Sequence, residues 1–195
     1  MHVFRTMSSP NAPILDKYAA WTVEMWDTSG NAIALRDLFV MQAGIPGEAS
    51  EVSTVLLEGR GRPDLEQLKL EVGDVVYYWC RVSNAFQLPA GQLWGPGDPT
   101  PSRGEEADLR SAAMLGVYAG RVSEALKKHV RDREIGKFLF AAPPDLKIRL
   151  TELSVELIRI MNRHDLDLAE VIEANKAKLT DRRAKKEAYD SKYGR

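Results

Sequence analysis

Two pairs of acidic residues stand out in the sequence because of their spacing. Glu48 and Glu51 lie three positions apart, and so do Glu71 and Asp74. On a helix, side chains three positions apart share a face, with Cβ atoms about 5–6 Å apart. A turn-forming Gly-Arg-Gly-Arg-Pro segment at residues 59–63 separates the pairs, so two antiparallel helices would bring them face to face.

Four carboxylates in one patch repel one another, and a hard divalent cation relieves that repulsion. All-oxygen ligation favours Mg2+, with Mn2+ as a substitute. A single acidic pair is more often a solvated helix face. Two pairs, one beside Gly47 and one beside Gly73, both flanked by apolar residues, favour a metal site.

Helical periodicity covers most of the chain and predicts an all-α fold. The segments with this periodicity are residues 16–26, 33–58, 65–82, 107–133, 145–164 and 168–188. Asp64 with Gln67, and Asp167 with Glu170, have the spacing of a helix N-cap and its capping-box partner. Residues 75–79 would also suit a strand, but the longer apolar stripe favours helix. Pro46 is expected to kink or divide its helix.

We expect one domain over residues 14–188, with flexible tails at 1–13 and 189–195. Residues 87–106 are rich in glycine and proline, which predicts a flexible loop followed by a helical pair over 107–164. Trp94 in this loop suggests a mobile lid that orders on ligand binding, with Trp94 as its reporter. The alternative is a disordered connector.

The bulk composition limits the partners. The chain has 195 residues, 27 Lys plus Arg against 28 Asp plus Glu, and a net charge of −1, so no overall positive field attracts nucleic acid or anionic membrane. Cys80 is the only cysteine, which excludes an internal disulfide and fits a reducing cytosol. No apolar run approaches the ~20 residues of a membrane span, and no signal peptide is evident. A cytoplasmic protein without nucleic-acid or membrane partners is expected.

The acidic motifs resemble those of a known family. Residues 47–52 (Gly-Glu-Ala-Ser-Glu-Val) and 71–78 (Glu-Val-Gly-Asp-Val-Val-Tyr-Tyr) resemble the Glu-x-x-Glu … Glu-x-x-Asp signature of the MazG-like all-α NTP pyrophosphohydrolases. Residues 173–182 are similar to that family's final helix, in which an Asn and a Lys reach the active site. Residues 16–22 resemble its opening helix. The resemblance covers 14–86 and 165–185, and departs at Pro46 and in the longer inserted helical pair.

The resemblance implies a helical bundle of this type in which Glu48, Glu51, Glu71 and Asp74 bind Mg2+, with Glu51 also as general base. It implies substrate binding by residues that share one face of the last helix, Asn175, Lys178 and Arg182. The implied reaction is (d)NTP plus water to (d)NMP plus pyrophosphate, as in nucleotide-pool cleansing. No activated Ser or Cys nucleophile is evident, which suits direct attack by water.

Several alternatives remain open at this point. Lys178 and Arg182 would equally suit a solvated surface. Within the superfamily, the substrate would instead be dUTP or phosphoribosyl-ATP. From another class, the chain would be a helical binding or regulatory module that keeps the fold without turnover, although retained carboxylates that repel one another argue against it.

A faint internal repeat bears on the oligomeric state. Residues 120–124 can be laid over 47–51, and residues 152–155 over 71–74. The second copy has Arg121 and Val155 at ligand positions and would be structural. The chain would then resemble a pseudo-dimer, as in the dimeric dUTPase branch of the superfamily. If the short match arises by chance, a homodimer is expected instead.

His164-Asp165 raises the possibility of an HD-type metal phosphohydrolase. That class needs additional histidines, and the sequence offers only His2 and His129. We therefore expect His164 to be a helix-end residue.

Overall fold

The structure, a computed structural model, describes residues 10–25, 35–95, 102–134 and 142–193. All regular secondary structure in these ranges is helical, as the apolar periodicity predicts, and residues 75–79 are helix rather than strand. The helices are α1 (Ala12–Met25), α2 (Leu35–Gly59), α3 (Leu65–Ala85), α4 (Ala90–Leu93), α5 (Glu105–Glu134), α6 (Leu146–Arg163) and α7 (Leu168–Tyr193). Within the described ranges, no helix combines the length and the apolar character that crossing a membrane requires.

Aspartate caps fix where two of these helices begin. Asp64 accepts hydrogen bonds from the backbone N–H groups of Glu66 and Gln67 at 3.0 and 3.1 Å. Asp167 caps α7 in the same way. A side chain in this position satisfies N–H groups that have no partner inside the helix, which contributes about 1 kcal/mol. The two predicted capping positions are confirmed.

The turn between α2 and α3 is tight and left-handed. Arg60 and Gly61 have φ values of 46° and 83°. A Cβ at Gly61 would lie 2.8 Å from the backbone nitrogen of Glu105, so this close approach requires glycine. Such a short connection makes α2 and α3 antiparallel neighbours and sets their turn against the start of α5.

α2 contacts both α3 and α5. It runs unbroken through Pro46, so this proline does not divide it. α2 packs against α3 on one side and α5 on the other, and α5 packs against α6. α1 and α7 both contact α3. The helical pair expected over 107–164 is therefore present as α5 and α6. The Trp79 indole N–H ties α3 to α6 by donating to the Leu150 carbonyl at 2.8 Å.

The glycine- and proline-rich segment differs from the expected flexible loop. Its first part contains α4, and Leu93 and Trp94 are 1% and 3% exposed. The Trp94 ring meets the Trp79 ring edge to face, with centroids 5.2 Å apart. Burial of two large apolar side chains, worth about 1.5–3 kcal/mol each, outweighs the low helix propensity of the segment. The assignment of Trp94 to a mobile lid is therefore wrong, because the side chain belongs to the core.

The predicted bounds are also corrected at the far end of this segment and at both tails. α5 already begins at Glu105, while residues 96–101 lie outside the described residues. α1 begins at Ala12, so residues 12 and 13 are not part of a tail. α7 continues to Tyr193, so the expected C-terminal tail is mostly helix. The expected first helix included Trp26, which lies outside the described residues, as do residues 1–9, 194 and 195.

Candidate metal centre

Three carboxylates from two helices converge on one point. Glu48 on α2, with Glu71 and Asp74 on α3, each offer one oxygen, and these oxygens lie within 4.8 Å of one another. Oxygens that share one Mg2+ lie about 2.1 Å from the ion, so a separation of this order suits a common cation after small adjustments. The two acidic pairs therefore face each other as the helix spacing predicts, and three of the four residues form the cluster.

Glu51 occupies the edge of this cluster rather than its centre. Its side chain is exposed, and its carboxyl group adjoins that of Glu71, where it adds to the burial that raises the pKa of Glu71. Two neighbouring carboxylates repel each other, which favours the protonated form of Glu71. Glu51 is thus not among the three converging ligands, which differs from the expectation. An exposed carboxyl group beside a ligand suits exchange of protons with water better than direct ligation.

Asp74 is held in place by a buried hydrogen-bond chain. The Tyr18 hydroxyl donates to Asn175 Oδ1 at 2.6 Å, and Asn175 Nδ2 donates to Asp74 Oδ1 at 2.5 Å. Asn175 is 0% exposed. Because both ends of its amide are hydrogen-bonded inside the protein, Asn175 orients Asp74, while its contact with substrate stays a prediction. Burial raises the pKa of the Tyr18 phenol far above its usual range, so this group remains a donor.

Lys178 supplies the positive charge of the cluster. Its Nζ atom forms an ion pair with Asp74 Oδ2 and lies 3.8 Å from Glu71 Oε2. Lys176 points elsewhere, as the helix spacing predicts. It pairs with Glu173 at 2.8 Å and lies over the Trp21 ring, 5.9 Å from the centroid. Only Lys178 of these two lysines therefore reaches the acidic residues.

One oxygen in the cluster is orphaned. Glu71 Oε2 is buried and accepts no hydrogen bond within the described part of the chain. At 3.8 Å, the Lys178 ammonium is close enough for ionic attraction but too distant for a good hydrogen bond. Buried acceptors normally have a partner, and a cation bound between the carboxylates would provide one. The donor set fits a hard divalent ion.

Crowding of the carboxylates changes their proton affinity. Burial, reinforced by the charges of Asp74 and Glu51, raises the pKa of Glu48 to about 7. Burial also raises the pKa of Glu71, against the opposing charge of Lys178. The cluster therefore retains protons near neutral pH, and a metal ion would displace them on binding.

Arg182 extends the positive surface one turn beyond Lys178. Burial raises the pKa of the Tyr78 phenol, and the charges of Glu48 and Asp74 raise it further. The charge of Arg182 opposes this shift. Arg182 is exposed and makes no ion pair with the residues that the structure describes. The guanidinium is thus available beside the cluster, on the same helix face as Lys178.

The two glycines next to the acidic residues have different roles. A Cβ at Gly73 would lie 2.9 Å from the Cβ of Asn175 and 3.3 Å from the Val171 carbonyl oxygen, so α7 approaches α3 where α3 has no side chain. A Cβ at Gly47 would meet nothing within 4 Å. Only Gly73 is required for the assembly of the site.

Tyr18 is the residue of the candidate site that sequence reasoning missed. Its position in the apolar stripe of α1 suggests a core aromatic residue, and it is only 1% exposed. Its partner Asn175 is 157 positions away, and no local spacing links the two residues. A buried tyrosine needs a partner for its hydroxyl group, which is the one signal the sequence offers.

The second helical pair carries an ion pair at the corresponding positions of the predicted repeat. Arg121 lies where Glu48 would be, and its Nη1 atom is 3.4 Å from Glu152 Oε2, at the position of Glu71. Glu152 also pairs with Arg149 at 3.1 Å. A guanidinium thus stands opposite a carboxylate where the first pair of helices has carboxylates only. The repeat itself stays a prediction.

His164 lies at the C-terminal end of α6, and its Nε2 atom is 2.9 Å from Asp108 Oδ1. Among the described residues, His164 is not part of any group of three or more potential metal ligands. This geometry fits the expected helix-end role and gives no support to an HD-type centre.

Comparison of the chain with protein-family models, with curated proteins and with solved structures finds no match. The geometry of the cluster on α2, α3 and α7 is therefore the basis for a functional interpretation.

Proposed function

We propose that this chain is a Mg2+-dependent nucleoside triphosphate pyrophosphohydrolase that converts a (d)NTP and water to the (d)NMP and pyrophosphate. The observation that carries the proposal is the convergence of Glu48, Glu71 and Asp74, in which the buried Glu71 Oε2 accepts no hydrogen bond from the described residues. The resemblance of residues 47–52 and 71–78 to the MazG-like signature adds the reaction type. We place the activity in the cytoplasm, in cleansing of the nucleotide pool.

The carboxylates of Glu48, Glu71 and Asp74 would hold the metal, with Mn2+ as a substitute for Mg2+. When bound, the ion supplies positive charge to the triphosphate oxygens and lowers the pKa of water. Asn175 keeps Asp74 in orientation through its 2.5 Å hydrogen bond. Outer contacts of this kind commonly tune a metal ligand by fixing its geometry.

Glu51 is the proposed general base. It is exposed at the edge of the cluster, beside Glu71, so it can accept a proton from a water molecule that enters beside the ligands. Transfer of the accepted proton to bulk solvent needs no further residue. This role agrees better with its position than direct ligation does.

Lys178 and Arg182 are the proposed phosphate-binding groups. Their helix face adjoins the carboxylate cluster, and Arg182 has no ion-pair partner in the described ranges. Guanidinium and ammonium groups form strong, charge-assisted hydrogen bonds to phosphate oxygens. Negative charge that develops on the leaving pyrophosphate would be stabilised there.

A second candidate within the superfamily is dUTP hydrolysis. The Arg121–Glu152 pair favours dUTP hydrolysis. In a pseudo-dimeric chain the second helical pair would hold a former site, and here an arginine neutralises its remaining carboxylate. A homodimer would fit a chain without such a repeat. Phosphoribosyl-ATP hydrolysis would use the same carboxylates.

The experiment that tests the proposal measures pyrophosphate release from a panel of standard and modified (d)NTPs, including dUTP, and from phosphoribosyl-ATP, with Mg2+. We expect release from at least one substrate and none with excess EDTA. Asp74→Asn serves as the inactive control. Turnover that is unchanged by EDTA would exclude metal dependence, and no turnover of any substrate would favour a non-catalytic helical module.

A further inference from the structure

A second cleft lies between the N-terminal part of α5 and the C-terminal part of α6. Its volume is about 390 Å3, and no residue that lines it belongs to α2, α3 or α7, the helices of the candidate metal centre. Its wall carries four guanidinium groups, those of Arg103, Arg110, Arg159 and Arg163. The cleft is thus separate from the metal centre and rich in hydrogen-bond donors.

The floor of the cleft is a largely buried network of hydrogen-bonded polar side chains. Arg163, 6% exposed, donates to Asp108 Oδ1 at 2.9 Å, to Ser111 Oγ at 3.0 Å and to the Ser102 carbonyl at 2.7 Å. The Ser111 hydroxyl in turn donates to Glu156 Oε1 at 2.6 Å. Each member fixes the next, so the charged side chains have one defined arrangement.

Stability alone does not account for this network. Removing an ion from water costs several kcal/mol, and a well-packed apolar interface between two helices is often at least as stable as a buried ion pair. Asp108 is 1% exposed, yet its Oδ2 atom has no hydrogen-bond partner within the described residues. Buried charge that is not needed for folding is typical of binding sites, where it positions other charged groups.

The hydrogen bonds already made leave an excess of donors in the cleft. Both oxygens of Glu156 are engaged, one by Ser111 and the other by Arg159 at 3.1 Å. Arg103 uses one nitrogen for Asp165. Arg110 forms no ion pair or hydrogen bond with any part of the chain that the structure describes. Glu106 is the one lining carboxylate without a partner there. The four lining arginines outnumber the two lining carboxylates, Glu106 and Glu156.

We propose that this cleft binds a small polyanion that carries phosphate or carboxylate groups, with Arg110 and Arg159 as its principal contacts. The planar fork of a guanidinium matches both kinds of group and binds them through two parallel hydrogen bonds. Ser111 and Glu156 hold Arg159 and the floor in place. This inference does not depend on the hydrolysis proposed for the metal centre.

Calorimetric titration of the full chain tests the proposal. Pyrophosphate and citrate, matched in ionic strength, are titrated separately in EDTA, so that no divalent ion can join either anion to the carboxylates of the metal centre. We expect Arg110→Ala to weaken binding about tenfold, the effect of losing one charge-assisted contact. Arg36→Ala is the matched control, because Arg36 is an exposed arginine on α2 outside the cleft.

A second pair of variants separates a local effect from a change in net charge. Glu106→Gln removes the opposing charge in the cleft and should tighten binding severalfold, whereas Glu105→Gln, on the same first turn of α5 but outside the cleft, should not. Binding of pyrophosphate alone identifies a phosphate site, and binding of citrate alone identifies a carboxylate site. Absence of binding by either probe at millimolar concentration, or equal effects within either matched pair, would overturn the proposal.

Discussion

Lys178 on α7 forms an ion pair with Asp74 on α3, and the same ammonium group lies 3.8 Å from Glu71. The lysine therefore compensates the two carboxylates that a divalent cation would also need. A metal ion would compete with the lysine for these oxygens, and once bound it would leave the ammonium free to turn toward an anionic substrate. This competition distinguishes Lys178 from an ordinary surface lysine and leads to the first prediction.

We expect Lys178→Ala to increase Mn2+ affinity severalfold, since the competing charge is lost, while turnover falls by about tenfold or more because a phosphate-binding group is missing. Lys176→Ala is the matched control and should change both quantities less than twofold, as Lys176 contacts Glu173 and Trp21 instead. Metal titration and steady-state kinetics measure the two effects. Equal effects of both substitutions would contradict the assignment of the helix faces.

Glu51→Gln should reduce turnover by roughly 100-fold or more, because general acid–base groups typically contribute a factor of this size. Its metal affinity should change little, since Glu51 lies outside the three converging ligands. Glu58→Gln, at another exposed acid of α2, controls for the loss of one charge. A loss of metal binding as large as that of Asp74→Asn would show instead that Glu51 is a ligand.

The raised pKa of Glu48 predicts a pH-dependent effect on stability. The folded carboxyl titrates near pH 7, above its ordinary value of 4.5, so the unfolded chain gives up this proton first and folding stability falls as pH rises between these values. Glu48→Gln removes the penalty. Because Glu48 is partly exposed to solvent, we expect a gain on the order of 1 kcal/mol above pH 7, or about 2–4 °C in Tm.

The measurement is thermal unfolding in EDTA across this pH range. The two proteins should have nearly equal Tm values below about pH 4.5, where the Glu48 carboxyl group is protonated in both the folded and the unfolded wild-type protein. A difference in Tm that is the same at every pH would mean that packing, rather than ionisation, explains the substitution.

Tyr18→Phe should lower stability by about 1–3 kcal/mol, since it leaves Asn175 Oδ1 without a donor in a site with no access to water. We also expect kcat to fall with KM little changed, because Asp74 loses its orientation while the substrate-binding groups remain. Tyr118→Phe, at a half-buried tyrosine of α5, is the control. A change in KM alone would contradict a positioning role for this hydrogen-bond chain.

Local spacing predicted much of the helical framework. The apolar stripes placed the long helices within a few residues, and Asp64 and Asp167 marked two of their starts. The same reasoning predicted that Glu48 and Glu71 lie close together, since a tight turn leaves two adjacent helices few ways to pack. The helix bounds depend on residues within about two turns of one another, and the pairing of α2 with α3 depends on the short turn between them.

What the sequence could not predict depends on contacts between distant segments. Residues three apart on a helix differ by about 60° in direction, so spacing alone does not decide whether Glu48 or Glu51 faces inward. The orientation of Asn175 depends on Tyr18, far away in the chain. Leu93 and Trp94 are ordered by the core rather than by their proline-rich neighbours, and no local rule predicts that.

Gly73 has no side chain, yet it determines how close Asn175 and Lys178 of α7 come to Asp74. One added carbon there would meet the Asn175 side chain at 2.9 Å and act as a wedge between α3 and α7. Displacement of α7 by a fraction of an ångström would move the amide and the ammonium together, because one rigid helix carries both. Gly73→Ala would thus move the two groups that contact Asp74 without changing any charge in the carboxylate cluster.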